Sequence, residues 1–221
     1  MASSLSILTR LQRDFLSAFF ARPAAKVFFL TGGTALAEYY LRHRYSEDID
    51  LFTLDQEAFR AMTNDLPTIA AELSCGLTPG TEATDFRSIR LQRGTEPVAK
   101  IDLVRDAGPQ FGDRQSFGDV IVDSEFNIAV NKVTALFGRA APKDFVDLYF
   151  LLKKGYGLDE LMRLAKEKDL GFTEFYFAGM LREVSRVRAL PRMIQPLTPE
   201  ELDAFFQPLA RQLMLKLKPS E

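Results

Sequence analysis

Apolar residues recur at Leu5, Leu8, Leu11, Phe15, Leu16 and Phe19, close to the helical repeat, and this spacing predicts an amphipathic helix over Ser4 to Phe20. Pro23 ends that pattern, and the run from Val27 to Leu30 has the length and composition of a buried strand. Gly32-Gly33 supplies a turn. Thr34 is placed to cap the next helix, whose Leu36, Ala37, Tyr40 and Leu41 share a face, while Arg42, His43 and Arg44 suit its negative C-terminal end. Ile49 to Thr53 reads as a strand and Asp55 to Leu73 as a helix interrupted at Pro67. Phe86 to Leu91 and Val98 to Val104 read as neighbouring strands joined through Arg93, Gly94, Thr95 and Glu96.

After Phe126 the pattern becomes helical. Segments are expected at Asn127 to Phe137, Pro142 to Lys153, Leu158 to Lys168, Thr173 to Arg188 and Thr198 to Lys216. The stretch from Asp106 to Ser124, rich in Gly, Asp and Phe, is the seam between a mixed α/β first half and a helical second half. Two domains are expected, over residues 1–123 and 124–221. No internal repeat or low-complexity tract is present.

Composition narrows the function classes. The 221 residues are 47% hydrophobic and 26% charged, enough to bury a sizeable core. With 28 basic and 30 acidic residues the net charge is −2, so a nucleic-acid contact has to be local rather than a global positive field. The single cysteine, Cys75, excludes an intramolecular disulfide framework, and no apolar run reaches membrane-span length. The N-terminal segment does not read as a secretory signal, so a cytoplasmic location is expected. One histidine and one cysteine are too few for a histidine-dependent hydrolase triad or a Cys/His zinc site, and no P-loop motif occurs. His43, between two arginines at a helix end, reads as a surface residue.

The chemistry concentrates after Leu30. On a strand, Asp48 and Asp50 point to one face and Ile49 and Leu51 to the other. Two carboxylates so close repel each other, and hard Mg²⁺ prefers such oxygens together with substrate phosphates; solvated acids at a strand edge are the bland alternative. The glycine pair upstream is a candidate phosphate cradle or simply a tight turn. In VAKIDLV a third carboxylate, Asp102, sits mid-strand, where a charge needs a partner, and Lys100 on the same face can supply it. Downstream, Lys132 and Arg139 share a helix face, as do Asp144 and Asp147. These residues can grip a triphosphate or form an ion pair between helices, such as Lys132 or Arg139 with Asp144. Arg87, Arg90 and Arg93 read as solvated strand positions, and the aromatics of FTEFYFAGML as core or as a partner surface.

The segment TGGTALAEYYLRHRYSEDIDLF resembles the signature of the nucleotidyltransferase superfamily with a polymerase-beta-type palm, and specifically the AbiEii/AbiGii toxin family. A second segment, NKVTALFGRAAPKDFVDLYFLL, resembles that family's downstream motifs, so the likeness spans roughly residues 27–152. It implies an α/β (α+β) fold, a palm with a mixed sheet followed by a C-terminal helical bundle that completes the active site. By the resemblance, Gly32, Gly33 and Thr34 form the nucleotide-phosphate turn, where Thr34 keeps the hydroxyl of the serine common in relatives. Asp48, Asp50 and Asp102 become metal ligands for two Mg²⁺ ions, with Asp102 either a ligand or the general base. Lys132 contacts the triphosphate, Asp144 or Asp147 completes the downstream motif, and Arg139 and Asp147 join the nucleotide-binding set.

The implied reaction transfers a nucleoside monophosphate from a nucleoside triphosphate to a hydroxyl, with pyrophosphate leaving. The implied role is the toxin of a bacterial toxin–antitoxin or phage-defence pair. Its partners would be the triphosphate, a tRNA acceptor ahead of a protein one, and a cognate antitoxin, with no membrane. Two rivals share the residues: a small-molecule nucleotidyltransferase of the antibiotic-modifying kind, and a non-catalytic nucleotide- or partner-binding module.

Overall fold

In the computed structural model, which describes residues 6–216, the first helix (α1, Arg10–Phe20) is fixed by a reciprocal cap. The Thr9 hydroxyl accepts from the Gln12 amide while the Gln12 side chain accepts from the Thr9 amide, so the helix begins later than the apolar period alone suggests. Ser4 and Leu5 lie outside the described residues. Leu11, Phe15, Leu16 and Phe19 form the buried stripe.

After a 3-10 turn at Pro23–Val27 come β1 (Phe28–Thr31) and a short helix, α2 (Gly32–Ala35), which continues as a π-helical stretch over Leu36–Leu41. Next are β2 (Asp48–Thr53), α3 (Gln56–Glu72), β3 (Gly76–Ala83), β4 (Phe86–Gln92), β5 (Ala99–Arg105), β6 (Gln115–Phe117) and β7 (Val120–Val122). The strands make one seven-stranded mixed sheet in the order β3-β4-β5-β2-β1-β7-β6, with β2/β5 and β1/β7 parallel and the other pairs antiparallel. Leu30, Ile49, Leu51, Ile101 and Leu103 are fully buried on one face, and α3 packs against β2 and β5.

Three local expectations change. Pro67 sits inside a continuous α3, where burial of Leu66, Ile69 and Ala70 offsets the lost backbone bond of roughly 3 kcal/mol. Strand β3 carries no alternating signal because it is an edge strand exposed on nearly every residue, with Pro79, Gly80 and a bulge between Pro79 and Glu82. The seam between Asp106 and Ser124 contains β6 and β7, each three residues long and too short to show a period.

Among the described residues five helices follow: α4 (Glu125–Arg139), α5 (Pro142–Lys154), α6 (Leu158–Lys168), α7 (Glu174–Arg182, running into a 3-10 turn at Glu183–Arg186) and α8 (Pro199–Lys216). Pro142 opens α5, and Gly155, at φ +117°, closes it in the left-handed conformation. Val133, Leu136, Phe145, Leu148, Phe177 and Phe206 are fully buried here, with Phe145 and Phe206 in edge contact at 5.4 Å. Among the described residues the chain divides into two compact units. The sheet unit takes the residues up to Arg42 together with Ser46–Ala107 and Phe111–Ser124. The helical unit takes His43–Tyr45, Gly108–Gln110 and the chain from Glu125 onward. No helix among the described residues is long and apolar enough to cross a membrane.

Candidate active site

In the sheet unit, strand pairing builds the site. Asp50 of β2 stands in register with Thr31 of β1 on one side and with Asp102 of β5 on the other, and Asp102 is in register with Ser88 of β4. Paired residues share a face, so a polar row Thr31, Asp50, Asp102, Ser88 crosses four strands. One same-face step along, Asp48 pairs with Lys100, and Lys100 with Arg90. Along β2 the burial alternates: Ile49 and Leu51 have no exposed surface while Asp48 and Asp50 are half-buried.

The glycine turn belongs to this row. Gly32 has φ +71°, and a Cβ there would overlap Asp50 Oδ2 and lie 3.0 Å from Asp50 Cγ, so the position requires glycine for conformation and for space. Thr34 does not cap the helix with its side chain; its hydroxyl donates to the Asp48 backbone carbonyl and ties α2 to β2. Gly33 is buried in the same turn. Thr31 donates to Asp123 Oδ2 at 2.7 Å, and Tyr40 donates to the Asp123 carbonyl at 2.6 Å.

Asp102 has both oxygens engaged, with Ser88 Oγ donating to Oδ1 at 2.6 Å and Lys100 Nζ to Oδ2 at 2.5 Å. Burial alone would lower the pKa of Lys100, but the hydrogen bond to Asp102 and the charges of Asp48, Asp102 and Asp50 outweigh it and raise the value. Among the described residues no three His, Cys, Asp or Glu side chains stand together as a ready ligand set. Asp48 and Asp50 are nevertheless two hard oxygen donors on one face, which fits a divalent cation that completes its sphere with substrate phosphates and water.

In the helical unit the other predicted residues form one buried ion cluster. Asp147, with no exposed surface, accepts two bonds from Arg44 (Nε at 2.6 Å and one terminal nitrogen at 2.8 Å), one from Lys132 at 2.6 Å, and contacts His43 Nε2 at 2.7 Å. Asp144, equally buried, accepts a bidentate pair from Arg139 at 2.7 and 3.0 Å and a longer contact from Lys132 at 3.3 Å. Ion pairs from both Lys132 and Arg139 to Asp144 are therefore present. Burial tends to raise the Asp147 pKa, yet Lys132, Arg44 and His43 hold it well below the carboxylate range. His43 is not a surface residue: it has no exposed side-chain area, because after the left-handed Arg42 the imidazole packs at a tilt against Phe150, 5.1 Å between ring centroids. Among the described residues its Nδ1 has no hydrogen-bond partner. Arg44, Ser88, Thr31 and Asp123 escaped sequence reasoning, because nothing short of the register and the helix packing brings them to these carboxylates.

The profile of the nucleotidyl transferase AbiEii toxin family, of type IV toxin–antitoxin systems, matches residues 14–219. The chain belongs to that family. It is thus an AbiEii-type nucleotidyltransferase, as its two motifs implied. It is 29% identical over 164 residues to "Uncharacterized protein aq_aa25" of Aquifex aeolicus (strain VF5), covering 73% of this chain and 75% of that one. Several solved structures share the fold, two of them as follows. MenT4, a nucleotidyltransferase toxin of Mycobacterium tuberculosis, aligns with TM-score 0.61 at 15% identity, covering 94% of this chain and 83% of that one. JHP933 from Helicobacter pylori aligns with TM-score 0.53 at 19% identity, covering 94% and 90%. The mixed sheet followed by helices is therefore the nucleotidyltransferase fold that the AbiEii signature implies.

Proposed function

We propose that the protein transfers a nucleoside monophosphate from a nucleoside triphosphate to an acceptor hydroxyl, with tRNA the favoured acceptor and a protein hydroxyl the second, and that it acts as the toxin of a toxin–antitoxin or phage-defence pair. The observation that carries this reading is the register that sets Asp50 beside Asp102, one same-face step from Asp48, with Gly32 against the Asp50 carboxylate. In the reaction the acceptor oxygen attacks the α-phosphorus, the bond from that phosphorus to the bridging oxygen breaks, pyrophosphate leaves, and the hydroxyl proton passes to a base.

Asp48 and Asp50, with Asp102 as a third ligand or as the base, would hold one or two Mg²⁺ ions. Bound there, Mg²⁺ neutralises phosphate charge and aligns the reacting oxygens. Gly32 and Gly33 open the backbone to the phosphates, and Thr34 anchors the turn on the Asp48 carbonyl. Lys100 and Ser88 orient Asp102. Within the helical unit, Lys132 is assigned the triphosphate contact of the downstream motif, with Arg139, Asp144 and Asp147 as its setting. To make that contact its ammonium exchanges a carboxylate partner for a phosphate, and the cluster holds it in place until then.

The test incubates the purified protein with each of four α-labelled nucleoside triphosphates, Mg²⁺ and total cellular RNA plus protein. Label in the tRNA band supports the favoured acceptor, and label in polypeptide moves the assignment to protein. Label only in an added metabolite fraction supports the small-molecule alternative, and no label in any fraction supports the binding module.

A further inference from the structure

On the carboxylate-bearing face of the sheet, the row beside Thr31 and Asp50 is apolar: Phe29 pairs with Phe52, Phe52 with Val104 and Val104 with Phe86. Phe29 is fully covered and the other three are half-buried. Arg114, in the segment before β6, lays its guanidinium over the Phe29 ring, 3.8 Å from the centroid. Same-face residues of a strand are about 6.6–6.8 Å apart, so the ring beneath Arg114 is one such step from the Thr31 and Asp50 pair.

This face carries Asp48, Asp50 and Asp102, with Asp123 at the end of the polar row, and an arginine beside so many acids ordinarily binds one of them. Lys100 does, through Asp102. Arg114 does not: among the described residues its guanidinium has the ring contact but no hydrogen bond or salt bridge; partial burial lowers its pKa from the ordinary arginine value, and the charge of Asp123 opposes that. The ring fixes one face of the guanidinium plane and leaves its five N–H donors unspent. A planar donor set, held in place and charged at every relevant pH, is preorganised for a phosphate group. A triphosphate brought to the acidic row also needs positive charge that the carboxylates have not already consumed.

We propose that Arg114, seated on Phe29, binds the β- or γ-phosphate of the incoming nucleoside triphosphate, the part that leaves as pyrophosphate. The assignment rests on the nucleotidyltransferase reading above and adds a phosphate-binding residue outside both motifs. It gives Phe29 a second task beyond the core, that of orienting the guanidinium.

The experiment measures equilibrium binding, with Mg²⁺, of the four nucleoside triphosphates as analogues not cleavable between the α- and β-phosphates, and of the matching monophosphates. Wild type is compared with Arg114→Ala, Arg114→Gln and Arg114→Lys, each checked by thermal melting. Arg114→Ala and Arg114→Gln should weaken triphosphate binding by about tenfold or more, leave monophosphate binding within about twofold, and be partly rescued by lysine. Equal triphosphate affinity in wild type and Arg114→Ala overturns this inference alone, as does a parallel loss of monophosphate binding. A wild type that binds no triphosphate overturns the nucleotidyltransferase reading and this inference with it.

Discussion

Gly32 and Asp50 are in direct apposition: the glycine, at φ +71°, leaves room for the carboxylate, and a Cβ in its place would overlap Asp50 Oδ2. The turn and the acid are thus one structural unit, although they lie eighteen positions apart in the chain. Gly32→Ala should therefore displace the Asp50 carboxylate and strain the backbone by roughly 1–3 kcal/mol. Nucleotide transfer should fall by far more than that stability loss implies. Comparing label transfer with a denaturant melt checks this, and a variant that keeps wild-type transfer would separate the glycine from the site.

Asp147 is the acceptor for three cations or potential cations at once. Removing it leaves Arg44 and Lys132 buried with incomplete partners, and breaking a buried pair in this way costs about 3–5 kcal/mol. Asp147→Ala should accordingly shift the urea midpoint strongly. Arg139→Ala should cost less than about 2 kcal/mol, because that side chain is 56% exposed and Asp144 keeps Lys132. Equal costs for the two variants would contradict the cluster as described.

The same cluster gives stability a pH dependence. Burial, the largest influence, lowers the His43 pKa from its ordinary 6.5, the attraction of Asp147 opposes it, and Arg44 and Lys132 add to the lowering. The unfolded chain then takes up the proton first as pH falls. The contribution of neutral His43 is complete above about 6.5 and is lost as pH falls through its folded value. Asp147, held well below 3.8, contributes above that value and loses its contribution at still lower pH. Urea midpoints should thus fall in two stages on acidification, and His43→Gln should abolish the first. Parallel curves for wild type and His43→Gln between about pH 7 and pH 5 would exclude the imidazole as the cause.

Much of this molecule could be anticipated where a period or a motif was long enough to register. The five C-terminal helices, the alternation of Asp48 and Asp50 against Ile49 and Leu51, and the pairing of Lys100 with Asp102 all follow from local spacing. Strand β3 escaped because an edge strand with neither face buried needs no alternation. His43 misled because two flanking arginines imitate a solvated helix end. Only the packing of α5, 104 positions away, supplies the buried Asp147 that accepts both His43 and Arg44. The register that joins Thr31, Asp50, Asp102 and Ser88 is likewise a property of sheet order, in which β5 lies beside β2 although two strands intervene in sequence.

The most direct test of the account is label transfer by Asp50→Ala under the conditions in which wild type labels its acceptor. Asp50 is half-buried and contributes little to the core, so the variant should melt within a few degrees of wild type while transfer falls below detection. A folded Asp50→Ala protein that transfers label at the wild-type rate would contradict the assignment of this carboxylate row as the active site.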